Sequence, residues 1–343
     1  MNGRRTALKR LRALAWSAMA GAAGLRPVEA ATAQSRSQDS ADEVVDRWFG
    51  VRADGKANDR EALQKAVDSS VGKTLVITGP SRIDAAGVHL RSRSHVRFVD
   101  GASIKLLPHR ETNYEILRIW DVQHVVVERP RLDGSKDLNS AKGGEWGMGI
   151  SIAGSSDVTI LSPYTIDCWG DGIYISNSFH GGLPYSSDLR IMNHYASGCR
   201  RQGTSIISGK NVLFDHPVWE NIAGTPPAAG LDIEPNFNTD VLENIRIVDP
   251  VTRDCQIGIL VWLAALPGVQ DKHVTISIEG HHDEGSRDAA FSVSRLKTEG
   301  RVVTGSISSR RPTWVHPKRH AFVNSDWDSA GPRVDVSDST IIR

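Results

Sequence analysis

Asp232 and Glu234 stand two residues apart in Gly230-Leu231-Asp232-Ile233-Glu234, a segment whose aliphatics alternate with its acids. On a strand, positions i and i+2 share a face and lie about 6–7 Å apart at the backbone. Two carboxyls so placed can serve as general acid and base on a glycosidic bond, one of them with a raised pKa. With Asn236 the same pair can hold a Ca²⁺, a hard cation that takes oxygen ligands. No other cofactor is implied. Asp171 in Trp169-Gly170-Asp171-Gly172 is a third acid, and Arg200-Arg201 can clamp an anionic sugar or supply the base of an elimination. Tyr174, Trp262 and Trp146 offer flat faces for pyranose rings, and His180 is a titratable group within a long loop. His281-His282-Asp283-Glu284 has the composition of a metal cluster, but adjacent residues on a turn seldom converge on one ion.

A repeat must position these residues. Gly-aliphatic-x-aliphatic recurs at Gly149, Gly172, Gly203, Gly230 and Gly258, with intervals of 23, 31, 27 and 28 residues. A second phrase, polar-aliphatic-x-aliphatic, runs in step with it. It reads His124-Val125-Val126-Val127, Asp157-Val158-Thr159-Ile160, Asp188-Leu189-Arg190-Ile191, Asn211-Val212-Leu213-Phe214 and Asn244-Ile245-Arg246-Ile247. Short third segments follow, such as Pro217-Val218-Trp219. Three period-2 strands per unit, with no helical pattern between them, predict a right-handed parallel β-helix. The antiparallel blades of a propeller need longer strands and hairpin turns, which are absent here. Cys168, Cys199 and Cys255 precede their glycines by four, four and three residues, which predicts one inward corner of small apolar side chains.

In this register the outward column reads Ser151, Tyr174, Ser205, Asp232, Leu260. Two residues further stand Ala153, Ser176, Ile207, Glu234, Trp262. The stretch from each glycine to the next second-phrase aliphatic is 9 residues after Gly149 and Gly203, but 17, 15 and 16 after Gly172, Gly230 and Gly258. Insertions gathered at one corner of a solenoid build a binding wall.

Gly50-Val51-Arg52-Ala53-Asp54-Gly55, followed by Glu61-Ala62-Leu63-Gln64-Lys65-Ala66-Val67, resembles the opening of the pectate-lyase-like superfamily of β-helix proteins. The resemblance implies a Gly-x-x-x-Asp-Gly turn, then a helix that caps the open end of the solenoid, with Asp59 as its N-cap. It also implies action on carbohydrate. The superfamily holds hydrolases, lyases, epimerases and phage depolymerases, and the Gly-His-Gly and Arg-Ile-Lys elements of its pectin hydrolases are not found in this chain. A glycoside hydrolase is the expectation. A polysaccharide lyase or C5-epimerase acting on uronates, and a non-catalytic glycan-binding scaffold, are the alternatives.

At the N-terminus, Arg4-Arg5-Thr6-Ala7-Leu8-Lys9, a short apolar stretch and Ala-x-Ala sites predict a twin-arginine-like export signal over 1–33. A flexible leader over 34–47 and a single β-helix domain over 48–343 follow, with irregular coils and a cap from about 281. The signal holds six Lys/Arg and one acid, so of the chain's 41 basic and 40 acidic residues the remainder carries 35 and 39. That balance gives no footprint for a nucleic-acid partner. A periplasmic or secreted protein, free of the membrane after cleavage and meeting a polysaccharide, is expected. Nothing in the pattern sets an oligomeric state, and three cysteines make no disulfide framework.

Overall fold

The computed structural model describes Asp42–Arg343. The expected export signal lies outside these residues. Every named strand pairs in parallel with the equivalent strand one coil away, giving three sheets of eleven, nine and ten strands. One coil runs Ser156–Leu161, Tyr164–Ile166, Asp171–Ser176, contributing one strand to each sheet. The next runs Ser186–Met192, Tyr195–Ser197, Gln202–Ile206. The protein is a parallel β-helix.

The two repeated phrases have separate physical causes. Asp157, Asp188, Asn211 and Asn244, which open the second phrase, all have φ between 53° and 56°. They drop out of the strand ladder: Ser156 pairs with Ser187 and Val158 with Leu189, while Lys210 pairs with Glu243 and Val212 with Ile245. Stacked bulges need a residue that tolerates the left-handed region, hence Asp and Asn. The glycines of the first phrase have no positive φ. A Cβ on Gly149, Gly172, Gly203 or Gly230 would instead lie 2.7, 2.6, 2.5 or 2.7 Å from the carbonyl oxygen of the next glycine in the row. Close backbone approach, not turn geometry, requires them.

Inward aliphatics from all three sheets form one core, and the three cysteines are buried and free within it. The interior also holds two polar modules of the same design. Thr165 Oγ1 lies 2.9 Å from His194 Nε2, and Trp219 Nε1 donates to His194 Nδ1 at 3.2 Å. Further along, Thr252 Oγ1 lies 2.8 Å from His281 Nε2, and Trp314 Nε1 donates to His281 Nδ1 at 3.3 Å. An indole can only donate, so Nδ1 accepts and Nε2 carries the hydrogen in both rings. Burial pushes both histidines down to about 3. His281 and Asp283 therefore serve the interior, while His282 and Glu284 lie outside it.

Three expectations are corrected. Glu43–Val45 pairs with Thr74–Val76, so the fold begins inside the stretch expected as a flexible leader. The helix Arg60–Ser69 forms and buries Leu63, Ala66 and Val67, but Asp59 does not cap it with its side chain. Its carboxylate turns back to accept the backbone N–H groups of Arg52 and Ala53, each at 2.9 Å. Gln64 on this helix bonds both backbone groups of His89, supplying what another strand would give the end of the nine-stranded sheet. Finally, the coils past 281 stay regular through Thr340–Ile342. Their side chains turn polar and half-exposed, as in His320–Trp327, and that erases the periodicity while the backbone ladder persists.

Candidate functional site

The middle strands of the nine-stranded sheet carry the acids, and the expected register is found. Ser151 pairs with Tyr174, Tyr174 with Ser205, Ser205 with Asp232 and Asp232 with Leu260. A further column stands one residue before each glycine, where Asp171 pairs with Gln202. The strand Gln202–Ile206 thus lies between two acids and serves both. Ser205, opposite Asp232, donates to Asp171 Oδ2 at 2.8 Å, whereas Gln202, opposite Asp171, donates to Asp232 Oδ2 at 2.8 Å. Gln202 is itself fixed by the N–H of Ala229, which its Oε1 accepts at 2.7 Å.

Both acids are fully buried, and each keeps one oxygen, Oδ1, without a hydrogen-bond partner. Burial raises Asp171 to about 6 against the opposing pull of Arg201, whose Nη1 lies 3.3 Å from Asp171 Oδ2. Burial also raises Asp232, helped by the charge of Glu234, which is within hydrogen-bonding reach. Burial and the neighbouring carboxyl both favour the protonated form of Asp232. Arg201 feels Asp171, Asp232 and Glu145 together and is held more firmly protonated than an isolated guanidinium.

Glu234 is the member of this cluster that meets open space. It lines a cleft of about 530 Å³ together with Pro226, Pro227, Leu260, Trp262 and Arg295. A second cleft of about 330 Å³ is lined by Asn113, Glu115, Trp120, Trp146 and Phe179. Trp262 and Trp146 thus each line a cleft. Tyr174 does not: it is 2% exposed, stacked on Phe179 and packed with Met148 and Ile207. Its outward position is covered by neighbours that the column alone does not show.

The remaining candidates are dispersed. Arg201 joins the acids, but Arg200 lies 4.1 Å over the Trp169 ring and donates to the Trp169 carbonyl. His180 is exposed, 3.0 Å from Asp121, and edges onto Trp120 beside the second cleft. Asn236 reaches Tyr174 with its side chain, and its N–H is taken by Asp240 Oδ2 at 2.7 Å, which pins the loop after Glu234. Among the described residues no three His, Cys, Asp or Glu side chains converge as a metal-ligand set, so the Asp232, Glu234 and Asn236 grouping offers only two such ligands.

Gln202, Glu145, Glu115, Trp120 and Phe179 were missed. Gln202 had a signal, since it precedes Gly203 as Asp171 precedes Gly172. Trp120 shares a column with Ala153, but its strand Asn113–Trp120 lacks the repeat glycine.

No family model matches the chain. It is 26% identical over 295 residues to the uncharacterized protein YclG of Bacillus subtilis, covering 77% of this chain and 48% of that protein. The chain thus spans about half the length of the curated relative it matches. Among solved structures it is similar to a 1,3-alpha-1,4-beta-D-galactose-4-sulfate-3,6-anhydro-D-galactose-2-sulfate 4 galactohydrolase, with TM-score 0.59, 10% identity and 88% of each chain covered. It is similar to a hyperthermoactive exopolygalacturonase from Thermotoga maritima, with TM-score 0.56, 12% identity, and 88% and 91% covered. The surface adhesin PfbA of Streptococcus pneumoniae gives TM-score 0.50, 12% identity, and 87% and 91% covered. These likenesses are of fold.

Proposed function

We propose that this chain is an exported glycoside hydrolase that binds a polysaccharide along the outward face of the nine-stranded sheet. The observation that carries the reading is the Asp232–Glu234 pair, whose inner member is fully buried, which favours its protonated form, while its outer member lines a cleft with Trp262. Asp232 would pass its proton through Glu234 to the leaving glycosidic oxygen, leaving the pair ionised. Asp171, with its pKa near 6 and one unpartnered oxygen, would take the proton of the attacking water. Activity should then fall as pH drops below about 6. The galactohydrolase and exopolygalacturonase of the same fold support a carbohydrate substrate by analogy alone. Elimination by Arg201 is disfavoured, because its guanidinium is tied to Asp171 and holds its proton.

Non-catalytic glycan binding is the second reading. It is favoured by the complete burial of Asp171 and Asp232, since a water-activating base must be reached by water. Incubation with a panel of polysaccharides separates the two, following reducing ends and the ultraviolet absorbance of unsaturated sugars. New reducing ends without absorbance, lost in Glu234→Gln, are expected. Binding with neither signal would remove the hydrolase reading. Fractionation of the source cells tests export, and a cytoplasmic location would refute it.

A further inference from the structure

We infer that the glycan taken by this face is an uncharged one. The inference rests on reading the face as a glycan groove, and it concerns how charge is distributed there. A uronate or sulfate ester is recognised by a guanidinium or ammonium free to form a charge-assisted bond with it. The arginines of this face are already engaged. Arg118 Nε lies 2.6 Å from Glu115 beside the smaller cleft, Arg201 is bound to Asp171 on the floor, and Arg295 Nη1 lies 3.1 Å from Asp326 in the larger cleft. Even His180 is committed to Asp121. Among the described residues Arg200 has no carboxylate within ion-pair range, but its guanidinium is laid on Trp169 and its Nη2 is buried.

Carboxyls outnumber these cations. Glu115, Asp171, Asp232, Glu234 and Asp326 are distributed over the two clefts and the floor between them, and Glu145 stands 4.0 Å from Arg201. An anionic chain would bring its charges toward Glu115, Glu145, Glu234 and Asp326, and like charges in a partly desolvated site repel strongly. The surfaces left for contact are apolar or neutral. Trp120, Trp146 and Phe179 face one cleft, while Trp262, Leu260, Pro226, Pro227, Ser292 and Ser294 face the other. Such a lining suits the C–H faces and hydroxyls of neutral pyranoses.

The test measures binding and cleavage by the full-length protein separately. Galactan, arabinan and mannan are compared with polygalacturonate, alginate and a sulfated galactan in affinity electrophoresis at low and high salt. Retention by a neutral polymer at least about tenfold tighter than by any acidic one is expected, insensitive to salt. Asp326→Asn, which frees Arg295, should bring in salt-sensitive binding of an acidic polymer. Neutral binding without cleavage would sustain the inference and overturn the hydrolase. Tighter binding or faster cleavage of an acidic polymer would overturn the inference and leave the hydrolase standing. No binding and no cleavage of any polymer would overturn both.

Discussion

Thr204 and Ser205 are neighbours on one strand, yet they belong to buried polar networks of opposite character. Thr204 points inward, where its hydroxyl accepts from Trp219 Nε1 at 3.0 Å beside His194. In that module both imidazole nitrogens have partners. Ser205 points outward to Asp171, in a network where Asp171 Oδ1 and Asp232 Oδ1 have none. A saturated buried network fixes one packing of a core, whereas an unsaturated one retains capacity for a ligand or a proton. The second interior module is nearly saturated: only Asp283 Oδ2 lacks a partner there. The difference separates a saturated inner face of the strand from an unsaturated outer one.

The largest effect expected is on the outer face. Glu234→Gln should lower turnover by about 10²–10⁴-fold with the melting temperature unchanged; a parallel loss of melting temperature would turn Glu234 into a structural residue. On the inner face, His194→Ala should cost about 3–5 kcal/mol by chemical denaturation, since it leaves a cavity and strands the hydroxyl of Thr165. A variant as stable as the parent would erase the comparison.

Acid should act on the two faces with opposite signs. His194 and His281 bind protons in the unfolded chain but not in the fold, from 6.5 down to about 3, so their share of stability is lost as pH falls through that window. Asp171 binds its proton more tightly in the fold, between 3.8 and about 6, so its share is lost as pH rises through that range. Asp171→Asn should therefore gain on the parent by about 3 kcal/mol from about pH 3.5 to about pH 7.5. A pH-independent difference between the two proteins would place Asp171 in the saturated class. Smallest of all, Ser205→Ala removes one hydrogen bond to the ionised form of Asp171. It should move the acid limb of the activity profile upward, by an effect of about 1 kcal/mol.

Most of the architecture was legible because it repeats. The alternation that buries Ile150, Ile173, Leu231 and Ile259 also fixes the outward positions of Tyr174, Ser205 and Asp232. Period-2 reasoning gives the face of a side chain but not what covers it. Tyr174 was therefore placed correctly and its exposure misjudged, since Phe179 arrives from a loop that obeys no repeat. The coils after 281 were illegible for the opposite reason, because polar side chains conceal a backbone ladder that needs no particular sequence. The Thr–His–Trp modules escaped notice because each draws its members from three successive coils, 29 and 25 residues apart in one and 29 and 33 in the other.

The glycine row works as a reading frame. Each glycine admits the carbonyl of the next coil at a distance that any Cβ would forbid, so a coil shifted by one residue would set a residue with a side chain, such as Ile173 or Gln202, against that oxygen. Out-of-frame stacking is thus excluded at the backbone, before any side chain on the surface is consulted. The residue two places after each glycine inherits this protection: Asp232 has its address from Gly230, and Ser205 from Gly203. Loops between the phrases can lengthen or change composition without moving those addresses. New surfaces can be drafted on this scaffold one coil at a time, each delivered in frame.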